Sequence, residues 1–150
     1  MAIRDTARKP YPLSGDDSDN ISIGIDLPFR RGVNGSGWFA TTKTTIGAVK
    51  NNIRNFMNTK QGERILQPLF GINVHKYLFE QFTSEARIAI EEEIRQSIGF
   101  WFPYVNIREM NIVMDNDTTG VQNKVSISLT FAINRDPGIL ESVSVEYSGE

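Results

Sequence analysis

Apolar residues recur at two different periods along the chain, and the changes of period mark out its elements. Ile21, Ile23, Ile25 and Leu27 alternate with polar or small residues and stop at Pro28, which predicts a short strand or extended edge segment. From Thr42 to Asn58 the steps become three and four, from Ile46 to Val49 to Ile53 and from Ile53 to Phe56 and to Met57, which is one face of a helix. Thr41, Thr42, Thr44 and Thr45 all offer N-cap hydroxyls. A second helix opens at Thr83 or Ser84, carries Ala86, Ile90, Ile94 and Ile98 at every fourth position, and ends near residues 100–103. On its other side Arg87, Glu91 and Arg95 stand at i,i+4 spacing.

Period two then returns. Val105 and Ile107 share one phase and Met110, Ile112 and Met114 the other, so a bulge or bend is expected near Arg108 and Glu109. Asp115 to Gly120 reads as a turn, followed by a strand through Val125, Ile127, Leu129, Phe131 and Ile133. Asp136-Pro137-Gly138 reads as another turn, and Val143, Val145 and Tyr147 alternate in a last strand. Between the helices, residues 62–71 form a structured loop, because Pro68 lacks an amide donor and Gly71 can take positive φ; a short helical turn over Val74 to Phe79 follows it. The fold class is α+β: two main helices packed on a small, mostly antiparallel sheet that ends in a C-terminal three-strand meander. Residues 1–20, with Pro10, Pro12 and a run of turn formers, read as a flexible arm, and residues 21–150 as a single domain. Gly32 to Gly37 is a glycine-rich loop ahead of Trp38 and Phe39.

Composition narrows the function classes. A chain of 150 residues with 39% hydrophobic and 23% charged residues has enough apolar surface for a core and lies outside the disordered regime. The absence of cysteine removes thiol nucleophiles, cysteine-ligated metals and disulfides, and fits folding in a reducing cytoplasm. No apolar run approaches a membrane span of ~20 residues, and no apolar stretch follows the N-terminal basic residues as a secretory signal would need. The net charge of −2 conceals a division: residues 30–64 carry seven cations against Glu63 alone, a net +6 that leaves −8 elsewhere. That basic segment either faces an acidic partner or is the solvated side of a helix.

Candidate chemistry is sparse. His75 is the sole imidazole, without a nucleophile motif or metal-ligand spacing around it, and reads as a packing or hydrogen-bonding residue. Glu63 is the one acid of catalytic interest, in a loop where apolar surroundings would raise its pKa and the adjacent Arg64 would lower it. Glu91, Glu92 and Glu93 point in three directions around a helix and read as a solvated face. Direct nucleic-acid binding ranks last, since only Phe56 interleaves with the cations of the first helix and the net charge is negative.

Three short stretches together carry a resemblance. Thr59-Lys60-Gln61-Gly62-Glu63-Arg64, then Pro68-Leu69-Phe70-Gly71, then Leu78-Phe79-Glu80 resemble the signature of the baseplate wedge family of contractile phage tails, and Gly24 to Phe29 is similar to that family's entry segment. The resemblance covers about residues 21–147 in element order; the N-terminal arm and the Arg31-to-Gly37 loop depart from it. It implies a structural subunit of the inner baseplate in the virion tail, assembled in the bacterial host cytoplasm. Its implied partners are other wedge proteins, which form a helical core bundle, and tail sheath subunits, with no membrane, no direct nucleic acid and no cofactor. Related components occur in type VI secretion baseplates. The residues to which an interface role transfers are Gly62, Glu63, Arg64, Pro68, Phe70 and Gly71 in the loop, and Val143, Val145 and Tyr147 in the last strand. No catalytic or metal site is expected. Members described as lysozyme-like supply an alternative, a peptidoglycan-degrading enzyme acting through Glu63.

Overall fold

Helix α1, Thr45–Asn58, begins where a hydroxyl can satisfy its first amides: of the four candidate threonines, Thr44 accepts from the Gly47 amide at 3.2 Å. The computed structural model describes residues 22–32, 38–79, 83–116 and 123–148. The N-terminal arm with Ile21 of the expected first strand, residues 33–37 of the glycine-rich loop, Glu80, and residues 117–120 of the Asp115-to-Gly120 turn lie outside those residues. The element order is β1 (Gly24–Ile25), β2 (Thr41–Thr42), α1, a 3-10 helix (Val74–Phe79), α2 (Ser84–Trp101), β3 (Val105–Asn116), β4 (Asn123–Ile133) and β5 (Asp136–Ser148). The mix is α+β, with two antiparallel sheets, one of order β1-β2 and one of order β3-β4-β5. The expected C-terminal meander is the second sheet. Two compact units divide the chain within α1, at Asn51/Asn52.

In the first unit β1 and β2 form a two-residue ladder, and Arg31 and Phe39 extend it by an isolated bridge. Asn51, buried on α1, donates to the Ile25 carbonyl at 3.2 Å and to the Asp26 carboxylate at 3.3 Å. Arg30 also binds Asp26, and that hydrogen bond holds the Asp26 carboxyl below its ordinary pKa. Phe29 meets Phe39 edge to face at 5.9 Å, and Trp38 is exposed beside them.

The second unit is built around one sheet face. Val125, Ile127, Leu129 and Phe131 of β4 are buried opposite Met114, Ile112, Met110 and Ile107 of β3, while Tyr147, Val145 and Val143 of β5 flank β4 on its other side. The two apolar phases of β3 therefore serve a single face. Ile107 pairs with Phe131 and Glu109 with Thr130, so Arg108 is the extra residue of a bulge that returns the side chains to register. α2 packs against β3, and the 3-10 helix packs against β4 and β5. Thr83 caps α2 by accepting from the Ala86 amide at 3.2 Å, and the helix buries Ala86, Ile90, Ile94 and Ile98 as their four-residue spacing predicts.

Two expectations need correcting. The chain reverses at Asn134-Arg135 rather than at Asp136 to Gly138, and β5 already begins at Asp136. Ile133 pairs with Asp136 and Ala132 with Leu140, which leaves Pro137, Gly138 and Ile139 bulged out of the ladder. Pro137 has no N–H to contribute, and the Asn134 amide is held instead by the Tyr104 carbonyl at 2.9 Å. Glu93 is the second correction. Its carboxylate accepts from the Asn73 amide at 3.2 Å and from the Tyr77 hydroxyl at 3.2 Å, and pairs with Lys76 at 2.7 Å, tying the 3-10 helix to α2. The same contact raises the Lys76 pKa. Glu91 does lie on an open face and binds Arg95 at 2.8 Å, the Glu-to-Arg direction favoured at i,i+4.

Candidate interface loop and outer strand

Residues 59–72 close on themselves as one structure. Thr59 Oγ1 donates to the Asn55 carbonyl at 2.7 Å, the Gly62 amide donates to the Pro68 carbonyl at 2.8 Å, and the Ile72 amide donates to the Thr59 carbonyl at 3.1 Å. Within the ring the Gln67 amide reaches the Arg64 carbonyl at 3.2 Å and the Phe70 amide reaches the Gln67 carbonyl at 3.0 Å. Gly62 and Gly71 have φ of +93° and +108°, the left-handed region where glycine carries no Cβ penalty. Pro68 needs no donor here because its carbonyl is the group the loop uses.

The two charged residues of the loop act separately. Glu63 is exposed, and its carboxylate accepts from the Lys60 amide at 3.1 Å, a charge-assisted bond that fixes the turn leaving α1. Arg64 lays its guanidinium on the Phe70 ring, 4.0 Å from the centroid, a cation–π contact. Phe70 in turn stands edge to face on Phe56 at 5.0 Å and on Trp101 at 5.2 Å. The loop is thus anchored in the core at Phe70, while Ile65 and Leu66 at its tip are each 95% exposed and Leu69 is 72% exposed. Those three residues carry no motif, and only the folded loop reveals them. A shallow cavity beside the tip is lined by Glu63, Arg64, Ile65, Leu66 and Gln67, with no second carboxylate among them.

The other candidate residues lie in β5. Val143, Val145 and Tyr147 turn their side chains into the core, so the part of each that a neighbouring chain could meet is the backbone of β5, which with β3 is one of the sheet's two outer strands. The Tyr147 hydroxyl donates to the Met57 carbonyl at 2.7 Å, and burial pushes its pKa far up. Tyr147→Phe leaves that carbonyl without this partner and is expected to cost about 1–3 kcal/mol in urea unfolding. His75 stands edge to face on Tyr147 at 5.5 Å. It borders a cavity of about 440 Å³ with Lys60, Leu78 and Glu146.

Burial first, and then the nearby Lys60 charge, hold the His75 pKa below its ordinary value. The native state therefore disfavours the imidazolium, and His75 contributes stability that is complete above the unfolded pKa of about 6.5 and is lost as pH falls through the folded value. Urea midpoints of the wild type should decline below pH ~6.5 more steeply than those of His75→Gln. Parallel profiles would remove His75 as the cause. Among the described residues no group of three or more His, Asp or Glu side chains could hold a metal ion, and no helix is long and apolar enough to cross a membrane.

The second unit is thus an α+β module with an ordered loop at the end of α1, exposed at its tip, and an open three-stranded sheet. Residues 45–138 match the family described as baseplate wedge protein gp25, and the chain belongs to that family. It is 20% identical to baseplate wedge protein gp25 of Enterobacteria phage T4 over 111 residues, which span 73% of this chain and 81% of the phage protein. Three solved structures share the fold. A chain of the anti-feeding prophage baseplate has a TM-score of 0.54 at 21% identity, covering 82% of each chain. A chain of a type VI secretion baseplate complex has a TM-score of 0.52 at 15% identity, covering 70% of this chain and 93% of that one. A Geobacter sulfurreducens protein described as a candidate tail lysozyme has a TM-score of 0.53 at 17% identity, covering 66% and 86%.

Proposed function

We propose that this protein is a structural subunit of the inner baseplate of a contractile tail, assembled in the host cytoplasm, that joins the helical core bundle of larger wedge subunits and links the baseplate to the sheath. Family membership supports the baseplate setting. The observation that carries the docking role is the loop over residues 59–72, closed by its own hydrogen bonds, anchored by Phe70 and open to solvent at its tip. A preordered loop loses little conformational freedom on binding. The residues to which the interface role was assigned divide into those that shape the loop (Gly62, Glu63, Arg64, Pro68, Phe70, Gly71) and those that hold β5 in place for strand pairing (Val143, Val145, Tyr147).

Co-expression of the full chain with the wedge proteins of the same tail tests the first link. A stable complex is expected, and its absence from every pairwise and three-way combination would remove the wedge role. Truncation after Pro137 cannot probe the sheath link, because it deletes the buried Val143, Val145 and Tyr147. Amide exchange is the better measurement: purified sheath subunit should slow exchange along β5, and unchanged exchange there would remove that link.

The alternative of a peptidoglycan lysozyme draws on the Geobacter protein's description. Glycoside hydrolysis ordinarily needs two carboxylates about 5–9.5 Å apart, and the cavity beside Glu63 is lined by one. The expected result is that the purified protein releases no soluble peptidoglycan fragments; release that Glu63→Gln abolishes would establish the enzyme instead.

A further inference from the structure

Residues 1–20, which the family resemblance leaves without a role, include a charge that balances the rest of the first unit. From Asn20 to Asn51 the chain carries one acid, Asp26, against Arg30, Arg31, Lys43 and Lys50, a net +3. Asp16, Asp17 and Asp19 stand just ahead of that stretch with a net −3. We infer that this acidic segment continues back from β1 onto the start of α1, where it lies against Lys43 and Lys50 and closes that side of the unit to other polyanions. The occupant of the basic surface is a segment of the same chain, and the contact does not depend on the baseplate setting.

Direction, reach and the placement of the other charges all lead the segment there. β1 and β2 are antiparallel with Gly24 opposite Thr42, so the chain traced back from Gly24 runs the way the chain leaves β2, towards Lys43 and α1. The Ile23 amide donates to the Thr42 carbonyl at 2.9 Å and carries the pairing one residue further that way. β1 also lies on α1 itself. Asn51 donates to the Ile25 carbonyl, and a Cβ on Gly24 would lie 3.5 Å from the Ala48 Cβ, so tracing β1 back descends α1 towards its first turn. Asp19 is three residues before Ser22 and Asp16 is six, a reach of roughly 10–20 Å for extended chain. Among the cations, Arg30 is taken up by Asp26, and Arg31 stands at the far end of the ladder opposite Phe39. That leaves Lys43, one residue past β2, and Lys50, two residues past Ala48 on α1. Arg4, Arg8 and Lys9, with Asp5, lie seven or more residues beyond Asp16, and Lys43 and Lys50 repel that stretch. A short tether holds the segment at an effective concentration of about millimolar, which favours it over a second copy or a free polyanion.

The chain has no cysteine, so Ser18→Cys gives a nitroxide label one attachment point inside the acidic segment. Paramagnetic broadening of the Gly47 and Lys50 amides is then read in the full labelled chain, in the same chain with Asp16→Asn/Asp17→Asn/Asp19→Asn, and in the same chain with Lys43→Gln. The triple variant is isosteric and sets the level that the tether alone produces. With each exposed ionic contact worth roughly 1.5- to 5-fold in population, broadening with the three aspartates present should exceed that level by at least ~3-fold. The excess should be present at about 0.1 M NaCl and fade by about 0.5 M, and Lys43→Gln should fall between the two. Heparin hexasaccharide should bind the triple variant at least ~10-fold tighter than it binds Glu92→Gln/Glu109→Gln/Glu146→Gln, which makes the same change in net charge elsewhere. Equal broadening with and without the aspartates overturns the docking. Excess broadening that persists at high salt overturns its ionic chemistry and assigns the hold to apolar residues such as Tyr11 and Leu13. Broadening that passes from a spin-labelled copy to an isotope-labelled one in a mixture places the segment on a second copy instead. Equal heparin affinity of the two triple variants overturns the closing of the basic surface.

Discussion

Gly71→Ala is expected to destabilise the protein by more than about 3 kcal/mol, or to leave it insoluble, because the added methyl has no space and the backbone no alternative. A Cβ built on Gly71 would lie 2.2 Å from the Thr59 carbonyl oxygen and 2.9 Å from its carbon, and φ there is +108°. The Thr59 carbonyl cannot withdraw without loss, since it accepts from the Ile72 amide at 3.1 Å in the bridge that closes the loop. Gly62→Ala is the internal control. Gly62 also has positive φ, +93°, but nothing lies within 4 Å of its added Cβ. That variant should lose only the left-handed penalty of about 1–2 kcal/mol. Denaturant unfolding of the two variants separates the torsional cost from the steric one. Equal losses at the two positions would mean that the chain does not approach itself so closely at Gly71.

Phe56→Ala has the second large effect, about 3–5 kcal/mol, from a fully buried aromatic whose removal leaves a cavity. Phe56 links the helix to the loop: it meets Phe70 at 5.0 Å and Phe102 at 5.4 Å, both edge to face. The cavity therefore opens beneath the loop's anchor. Amide exchange at Gly62 and Phe70 should quicken in Phe56→Ala beyond what global destabilisation explains. Phe56→Leu, which keeps most of the apolar volume, should lose about 1–2 kcal/mol and leave the loop's exchange close to wild type. If the loop's exchange is as slow in Phe56→Ala as in wild type, Phe70 is not what holds it.

Much of the second unit was legible along the chain because its elements are amphipathic at their own periods. α2 buries every residue of its four-residue stripe, and the phase change in β3 marks a bulge at Arg108. The loop was legible through its glycines and proline, and two of its roles follow from residue type alone: Gly71 takes positive φ, and Pro68 serves only as an acceptor. The residues that the family resemblance singled out lie where a loop and a last strand were expected. What those residues touch was not legible. Arg64 stands next to Glu63 in the sequence yet stacks on Phe70, because the turn directs the two side chains to different neighbours.

By itself, then, the sequence determined the α+β class, both helices, the meander and the bulge, since a helix or strand imposes its period on whichever residues must face the core. Tertiary structure alone decided which side chains meet across long separations. Glu93 left the solvated face to which its place among three glutamates assigned it, because the 3-10 helix brings Asn73, Lys76 and Tyr77 to its carboxylate. Tyr147 found the Met57 carbonyl across 90 residues. Ile65, Leu66 and Leu69 are left exposed because the loop that carries them closes on itself and turns Phe70, not them, toward Phe56. Local periodicity is set by backbone geometry within a few residues. Pairings such as these depend on where whole elements come to rest.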